Sequence, residues 1–265
     1  MMSTGSASPR SRSERRSSSP SAPGSARSSS TSSKGSVRST RAAASASCTQ
    51  STTKPSRFRP ARMASDAASL GVRLTDADAG RLLALLEELA RWNRSYNLTG
   101  IRTLGAMVTH HLLDSLAIHP DLEGTRIADV GTGAGFPGLP LAVANPARHF
   151  TLIDSTAKKI RFVSHAAETL GLANVTALQA RVETMHPAVA FDTVVARAIA
   201  PLPKLLAQVR GLVAAHSRLL AMKGRWPEKE LEALPSSWRL VGSRELTVPR
   251  LGEARCVLVL ALAVD

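Results

Sequence analysis

The sequence predicts an α/β fold in which a small cap of helices precedes a doubly wound, mostly parallel sheet of seven strands. Three observations lead to this prediction. A short apolar run enters a glycine-rich turn at residues 126–138, strand-like and helical patterns alternate after residue 125, and helical patterns come before it. Alternation of this kind implies right-handed crossovers between parallel strands that are covered on both faces.

The chain is organised around the stretch RIADVGTGAGFPG at residues 126–138. Ile127, Ala128 and Val130 supply the apolar run of a buried parallel strand, and a helical pattern follows Pro137. Between the predicted strand and the predicted helix, three glycines occupy every second position. They free the backbone to turn tightly and to approach a ligand closely. Such a turn predicts a nucleotide-like ligand at the carboxyl end of the first strand.

The spacing of the glycines indicates the class of ligand. A dinucleotide fingerprint needs a small residue where this chain has Phe136, whose ring would crowd a pyrophosphate. With Asp129 two residues before Gly131, the run is D-x-G-x-G-x-G, which resembles S-adenosylmethionine-dependent methyltransferases. Their ligand has no pyrophosphate, so a bulky side chain can lie against its adenosine or methionine part. A dehydrogenase and a glycine turn without a ligand are the less favoured alternatives.

Five parallel strands are predicted to alternate with helices, and two further strands complete the sheet. The predicted strands are residues 126–130, 150–153, 175–178, 193–196, 218–222, 238–246 and 255–263. The main predicted helices between them cover residues 156–170 and 202–215. In such sheets, ligands lie beyond the carboxyl ends of the strands. The polar side chains at those ends are Asp129, Asp154, Glu183, Arg197 and Lys223.

Each polar strand end has a functional and a structural interpretation. Asp154, 23 residues after Gly131, is placed to accept hydrogen bonds from both hydroxyls of a ribose, and Glu183 is placed to meet an adenine edge. Either acid could instead cap a helix N-terminus. Arg197 offers a planar fork of donors to the predicted site, or it forms a surface ion pair. Lys223 is a weaker candidate of the same kind.

A helical cap is predicted at residues 63–122. Its first helix begins after Thr75, which forms a capping box with Asp78, and it ends near Asn97. Its second helix is predicted at residues 104–118. No metal is predicted there, because no Cys or Glu completes a zinc spacing among the potential ligands His110, His111, Asp114 and His119.

The formal charge of +14 is concentrated in residues 1–62, which hold twelve basic residues and one acidic residue. This Ser/Arg-rich tail has almost no large apolar side chains, so it cannot offset its ordering entropy and is predicted to be disordered. Three accounts of it stay open: a basic RNA-binding arm, a transit peptide, or sequence upstream of a working start at Met63. The last is favoured, because ordered composition begins abruptly after Met63.

Cysteine content and hydropathy indicate the compartment. Cys48 and Cys256 form no disulfide framework and favour a reducing, cytoplasmic location. The apolar run at residues 256–264 is far shorter than the roughly 20 residues of a membrane-spanning helix. No membrane association is therefore predicted.

Six further stretches accompany the glycine turn in a fixed order along the chain. They are WNxxYNLT at 92–99, HLLDS at 111–115, LIDS at 152–155, RVE at 181–183, ARA at 196–198 and KG at 223–224. Together they resemble the bacterial 16S ribosomal RNA methyltransferase G family, also called glucose-inhibited division protein B, over about residues 70–260. Residues 1–62 have no counterpart in the family pattern.

The resemblance implies a class I, Rossmann-like methyltransferase domain, here at residues 123–265. It implies transfer of a methyl group from S-adenosyl-L-methionine to N7 of a guanine in 16S ribosomal RNA. The cofactor contacts that the resemblance carries over are Gly131, Phe136, Val182, Glu183 and Arg197. No catalytic side chain is predicted, because guanine N7 carries no proton and alignment with the methyl group suffices.

The predicted site combines the resemblance with the spacing argument. Its cofactor-binding residues are Gly131, Gly133, Phe136, Asp154, Val182, Glu183 and Arg197, and its RNA-binding residues are Arg197 and Lys223. Candidate platforms for base stacking are Tyr96, Phe136 and Trp226. The predicted partner is 16S ribosomal RNA or the small ribosomal subunit, and the protein is expected to be monomeric.

Two alternative functions stay open at this point. One is a methyltransferase of the same fold that acts on a small molecule or a protein. The other is an RNA- or nucleotide-binding module without catalysis. The intact glycine turn and the acids at the strand ends count against the second alternative.

Overall fold

The structure, a computed structural model, describes residues 59–263. Within this part of the chain, seven strands form one sheet with the order β3-β2-β1-β4-β5-β7-β6. The strands are β1 (Arg126–Val130), β2 (His149–Asp154), β3 (Val175–Gln179), β4 (Thr193–Arg197), β5 (Arg218–Lys223), β6 (Trp238–Glu245) and β7 (Cys256–Leu262). The first five strands run parallel, and β7 lies antiparallel between β5 and β6. The predicted doubly wound, mostly parallel sheet is confirmed.

Strand β1 lies in the middle of the sheet and is covered on both faces. It pairs with β2 on one side and with β4 on the other. Its side chains alternate between two apolar clusters: Ile127 packs in one, and Ala128 and Val130 pack in the other. Burial on both faces explains why the strand is a continuous apolar run instead of an alternating pattern.

The cap contains one helix that the sequence pattern did not predict. Helix α1 (Pro60–Ala68) begins inside the predicted tail, with a proline in its first turn, and buries Met63 and Ala67. Residues 1–58 of that tail, including Cys48, lie outside the described residues. Helix α2 (Asp76–Tyr96) has the predicted capping box of Thr75 and Asp78. It ends at Asn97, whose φ of 48° is left-handed.

The second predicted cap helix is not a single α-helix. Helix α3 (Leu104–Met107) runs into a π-helical segment (Val108–Leu113), which is followed by α4 (Asp114–Leu116). The predicted helix over residues 104–118 is therefore present as a continuous helical stretch that ends at Leu116, but its middle is π-helical. A π-helix carries its hydrogen bonds from i to i+5 and shifts the faces that later residues present. His110, His111 and Asp114 all border one cavity.

Short helices cover the sheet on both faces. They are α5 (Gly138–Ala144), α6 (Ala157–Thr169), α7 (Leu202–Val209) and the unpredicted α8 (Glu228–Glu232). Helix α7 is shorter than the predicted 202–215, because the chain tightens into a 3-10 turn (Arg210–Leu212). Gly211 in that turn approaches the carbonyl oxygen of Met185 so closely that an added Cβ would lie 2.5 Å from it. None of the helices in residues 59–263 is both long and apolar enough to cross a membrane.

The cap helices pack onto the sheet through a shared core. Leu82 and Leu86 of α2 and Leu112 of the π-helical segment belong to the same buried cluster as Ile127 of β1. Burying each such side chain contributes about 1.5–3 kcal/mol. This packing fixes the loop after α2 and the π-helical segment above the carboxyl end of the sheet.

Removal of residues 1–62 is expected to leave thermal stability and turnover nearly unchanged. The segment lacks apolar side chains that could join the core, and the buried Met63 and Ala67 of α1 remain. Thermal denaturation and methylation assays of the full chain and of the truncated chain check this. A shorter truncation of residues 1–58 keeps α1 whole and serves as the control. A large fall in RNA affinity on truncation would identify the tail as a basic RNA-binding arm.

Candidate active site

Two cavities open beyond the carboxyl ends of the parallel strands. The larger, of about 480 Å³, lies between the glycine turn, the π-helical segment and the end of β5. The smaller, of about 370 Å³, lies between the ends of β2, β3 and β4. Gly131, Arg197 and Ala198 line both cavities, so the cavities meet where β1 and β4 end.

The glycine turn forms the floor where the two cavities meet. Gly131 and Gly133 have φ values of 61° and 62°, a left-handed conformation that side chains other than glycine rarely adopt. A Cβ atom added to Gly131 would lie 2.8 Å from Cδ1 of Ile199. The turn therefore depends on glycine for its backbone conformation, and an added Cβ would also displace the exposed side chain of Ile199.

Asp129 supports the glycine turn from below and does not reach either cavity. Its Oδ2 atom accepts hydrogen bonds from Thr132 Oγ1 at 2.6 Å and from the backbone N–H of Gly138 at 2.8 Å. Burial raises the pKa of Asp129 to about 6, against the opposing effect of these two hydrogen bonds. Asp129 is therefore a structural residue of the turn.

Asp154 lines the smaller cavity at the end of β2. Its Oδ1 atom accepts from the N–H of Thr156 at 2.9 Å, and its Oδ2 atom accepts from the N–H of Gly133 at 3.1 Å and from Lys159 Nζ at 3.3 Å. Thr156 is itself the N-cap residue of α6, so Asp154 does not cap that helix. The carboxylate ties the glycine turn to the end of β2.

Val182 and Glu183 lie across the smaller cavity from Asp154, in a 3-10 turn (Val182–Thr184) after β3. Glu183 is exposed, and its Oε1 atom accepts from Gln208 Nε2 at 2.6 Å. Hydrogen bonds from its own backbone N–H and from Gln208 hold the pKa of Glu183 below its usual value. The carboxyl group is therefore ionised at neutral pH.

Phe136 lines the larger cavity but is buried beneath the cap. Its ring stacks on the imidazole of His111, with 4.6 Å between the centroids. The Nε2 atom of His111 lies 3.0 Å from Thr99 Oγ1, and the side chain of Asn93 holds the backbone of Thr99 through two hydrogen bonds. Burial, with the nearby Arg197, lowers the pKa of His111 to about 4, so the ring is neutral at physiological pH.

Arg197 ends β4 between the two cavities and is held by the cap. Its Nη1 atom donates to the carbonyl oxygen of His110 and to Oδ2 of Asp114, each at 3.0 Å. Asp114 is 3% exposed, so this contact is a buried ion pair and not a surface one. The other oxygen of Asp114 accepts from Arg255 Nε at 3.2 Å. Sequence reasoning missed the roles of Asp114 and Arg255.

Lys223 ends β5 at the rim of the larger cavity. Its Nζ atom donates to Oε2 of Glu230 at 2.7 Å and to the carbonyl oxygen of Ala200 at 3.3 Å. Glu230 belongs to α8, which the sequence pattern did not predict. The pair directs the ammonium group toward the loop after β4.

The three aromatic residues considered for base stacking differ in exposure. Tyr96 and Trp226 are 42% and 46% exposed, whereas Phe136 is 3% exposed and its ring stacks on His111. Tyr96 and Trp226 are therefore available to a base at the surface, and Phe136 can contact a ligand only from inside the larger cavity. In residues 59–263, no group of three or more His, Cys, Asp and Glu side chains is arranged to hold a metal ion.

Comparison with known proteins places this arrangement in a family. A family model described as rRNA small subunit methyltransferase G matches residues 79–259. The chain belongs to this family. It is 48% identical to the ribosomal RNA small subunit methyltransferase G of Nitrosococcus oceani over 186 residues, which cover 70% of this chain and 87% of the relative. It is 46% identical to the protein of the same name from Aeromonas salmonicida over 188 residues, covering 71% and 90%.

Membership of the methyltransferase G family confirms the resemblance that the seven stretches indicated. The structure brings those stretches together around the two cavities. WNxxYNLT supplies Asn93 and Thr99, HLLDS supplies His111 and Asp114, and ARA supplies Arg197. The WNxxYNLT and HLLDS motifs belong to the cap, and from there they support the glycine turn and Arg197. The sequence did not reveal this role.

Proposed function

We propose that this protein transfers the methyl group of S-adenosyl-L-methionine to N7 of a guanine in 16S ribosomal RNA. One observation carries the proposal. Two cavities meet over a glycine turn and beside Arg197, in a chain whose family is named for methylating the RNA of the small ribosomal subunit. One cavity is suited to the nucleoside of the methyl donor, and the other to its methionine part and the target base.

The residues around the smaller cavity fit the adenosyl group. Asp154 accepts three hydrogen bonds there, so its carboxylate keeps one acceptor site, on Oδ1, for a hydroxyl of a ribose, and a second hydroxyl would replace Lys159. Val182 and Glu183 line the wall that would face an adenine. Gly131 lines both cavities without a side chain, so a ligand can approach its backbone closely. The proposed cofactor-binding set remains Gly131, Gly133, Phe136, Asp154, Val182, Glu183 and Arg197.

Methyl transfer to guanine N7 depends on alignment of the two reactants and requires no proton transfer to a side chain. The bound S-adenosyl-L-methionine supplies an electrophilic sulfonium methyl group. Guanine N7 attacks through a lone pair and carries no proton, so no side chain of this protein has to act as a base. The walls of the larger cavity hold the base in line with the methyl group, and such positioning can supply about 7–11 kcal/mol of a reaction barrier. The neutral His111 adds no positive charge beside the sulfonium.

The rim of the larger cavity is suited to RNA. Arg197 and Lys223 lie there, each paired with one acid, and guanidinium and ammonium groups with donors left bind phosphates or the acceptor edge of guanine. Trp226 and Tyr96 are exposed aromatic side chains on which a base of a single-stranded region can stack. The target guanine is therefore proposed to lie in a loop of the RNA, alone or within the small ribosomal subunit.

We further propose that the protein is a cytoplasmic monomer. Cys256 is a buried free thiol, which is typical of a reducing compartment. The edge strand β6 carries charged side chains, including Arg239, Arg244 and Glu245, and charges on an edge strand oppose pairing with a second sheet. Sedimentation analysis at micromolar concentration tests the monomeric state.

Replacement of Asp154 by alanine is expected to weaken binding of S-adenosyl-L-methionine by about 1–3 kcal/mol, the cost of losing a charge-assisted hydrogen bond. The change also frees the N–H of Gly133, so the glycine turn loosens together with the ribose contact. Calorimetric titration with S-adenosylhomocysteine measures the affinity. Glu168→Ala, at the end of α6, is the control for the loss of an acid. If Asp154→Ala bound S-adenosylhomocysteine as tightly as the wild type, Asp154 would not belong to the proposed site.

The decisive experiment for the function uses labelled S-adenosyl-L-methionine and small ribosomal subunits that lack the modification. We expect one guanine of the 16S RNA to become labelled at N7, and mapping of the methylated nucleotide identifies it. Naked 16S RNA in a parallel reaction shows which form is the substrate. A label that appears only on protein or on small molecules would replace this function with that of another methyltransferase of the same fold.

A further inference from the structure

A buried carboxylate joins two arginines at the larger cavity, and it has no part in the function proposed so far. Asp114 lies at the start of α4, Arg197 at the end of β4, and Arg255 directly before β7. All three line the larger cavity. The contacts connect residues 83 and 141 positions apart along the chain, so three separate elements converge on one side chain.

The two arginines differ in the donors that they have left. Arg255 uses Nε for Asp114, Nη1 for the carbonyl oxygen of Ala254 and Nη2 for Glu253, so each of its nitrogen atoms has an acceptor. Arg197 uses Nη1 alone, for Asp114 and for the carbonyl oxygen of His110. Its Nε and Nη2 atoms make no hydrogen bond within residues 59–263. Arg255 therefore holds Asp114 in place, and Arg197 keeps one edge open.

The open edge of Arg197 has a specific chemistry. The Nε–H and Nη2–H groups of a guanidinium point in parallel and bind the two oxygens of a carboxylate or a phosphate at once. The side chain of Arg197 is 21% exposed and lines both cavities. Glu253 on Arg255 balances the second guanidinium group, so the open edge of Arg197, and not a net charge, is the feature that fits an oxyanion here.

A contribution to folding stability does not by itself explain the cluster of Asp114, Arg197 and Arg255. Burying a carboxylate and a guanidinium costs desolvation energy that offsets most of their mutual attraction, and apolar residues of similar volume often do as well. What the buried Asp114 provides that an apolar residue cannot is a fixed orientation of Arg197. An anchor at Nη1 leaves the Nε–Nη2 edge turned away from Asp114.

We propose that Asp114 is a positioning residue for methyl transfer. It holds Arg197 by Nη1 so that the Nε–Nη2 edge binds an oxyanion of the reactants between the two cavities. The oxyanion is either the carboxylate of the methionine part of the methyl donor or a phosphate of the RNA. This inference rests on the proposed function, because both oxyanions belong to its reactants.

The test begins with Asp114→Asn, which keeps the size of the side chain but leaves one oxygen for two arginines. If the oxyanion is the carboxylate, the affinity for S-adenosylhomocysteine in calorimetry falls at least about tenfold, the expected cost of a lost charge-assisted hydrogen bond. If it is a phosphate, that affinity is kept and the KM for small subunits rises by a similar factor. Unchanged affinity and unchanged KM in the folded variant would overturn the proposal, whatever the change in melting temperature.

A double variant separates positioning from a general structural role. If Asp114 acts through Arg197, Asp114→Asn has no further effect on affinity or KM in a chain that already carries Arg197→Ala. Additive losses would overturn the proposal. Asp114→Glu, which keeps the carboxylate, is expected to restore part of the loss, and a Glu variant as impaired as the Asn variant would count against an anchoring role.

Asp121→Asn is the matched control, because it neutralises an Asp–Arg pair with Arg244 that lies outside both cavities. It should keep wild-type affinity and KM. If Asp114→Asn does not fold, the charge-balanced variant Asp114→Asn/Arg255→Gln replaces it, with the same readouts and the same contradicting result.

Failure of this inference can be told apart from failure of the proposed function. Calorimetry with S-adenosylhomocysteine needs no methylation, and equilibrium binding of 16S RNA replaces KM if the wild-type protein methylates no RNA. In that case the function fails, while a weakened oxyanion affinity in Asp114→Asn still supports the positioning role. If the wild type methylates the RNA fully and the Asp114→Asn variant is unaffected, the proposed function stands and the positioning role of Asp114 fails.

Discussion

Replacement of Gly131 by valine is expected to abolish binding of S-adenosyl-L-methionine while the chain stays folded. The Cβ atom alone would lie 2.8 Å from Ile199, and the two methyl groups of valine would occupy the place where the two cavities meet. Gly131 also has a φ of 61°, and a left-handed conformation costs a residue with a side chain roughly 1–2 kcal/mol. This is a fraction of the about 5–15 kcal/mol that stabilises a typical domain.

The control for this prediction is Gly171→Val. Gly171 has a φ of 64°, but an added Cβ would meet nothing within 4 Å. We therefore expect both variants to lose similar backbone stability in thermal denaturation, and only Gly131→Val to lose affinity for S-adenosylhomocysteine in calorimetry. A folded Gly131→Val variant with unchanged affinity would contradict the assignment of the glycine turn to the methyl donor.

The parts of the fold that could be predicted from the sequence are those that local patterns determine. Strand β1 has the predicted bounds, because an apolar run that enters closely spaced glycines has few other conformations available. The capping box of Thr75 and Asp78 is a short-range hydrogen-bonding pattern and was predicted as it stands. The parallel direction of β1 to β5 was predicted from the alternation of strand-like and helical patterns.

The parts that could not be predicted depend on contacts between distant residues. The π-helical segment retains an apolar face, so hydrophobic periodicity does not distinguish it from an α-helix. The pairing of Asp114 with Arg197 and Arg255 arises only when the cap packs on the sheet. Sequence spacing showed only that Asp114 stands near three histidines, without a zinc spacing, and it gave no indication of the two arginines.

The different roles of the polar residues at the strand ends also could not be predicted from the sequence. Asp129 and Asp154 are both acids at the ends of neighbouring strands, yet the structure turns Asp129 under the glycine turn and leaves Asp154 at the smaller cavity. The difference arises from position along the strands: Asp129 lies opposite Leu152, so Asp154 projects from the same face of the sheet but two residues nearer its carboxyl edge. Asp154 is the last residue of β2, whereas Asp129 is the last but one of β1.

Replacement of Arg197 by either alanine or lysine is expected to reduce methylation strongly, by about tenfold or more, since a lost hydrogen bond to a charged group costs about 1.5–3 kcal/mol. Lysine keeps the positive charge and can still meet Asp114, but it lacks the planar edge that binds two oxygens at once. The lysine variant therefore tests geometry separately from charge. Arg244→Lys, which alters the pair with Asp121 outside the cavities, is the matched control and should methylate normally.

The two readouts for Arg197 distinguish its partner. If Arg197 binds the carboxylate of the methyl donor, the affinity for S-adenosylhomocysteine falls together with activity in both variants. If it binds RNA, that affinity holds while the KM for small subunits rises. Full turnover and unchanged affinity in both variants would mean that Arg197 only neutralises Asp114, and that methyl transfer occurs on another face of the sheet. The buried position of that pair, with one guanidinium edge left open between the cavities, is the reason to expect a loss instead.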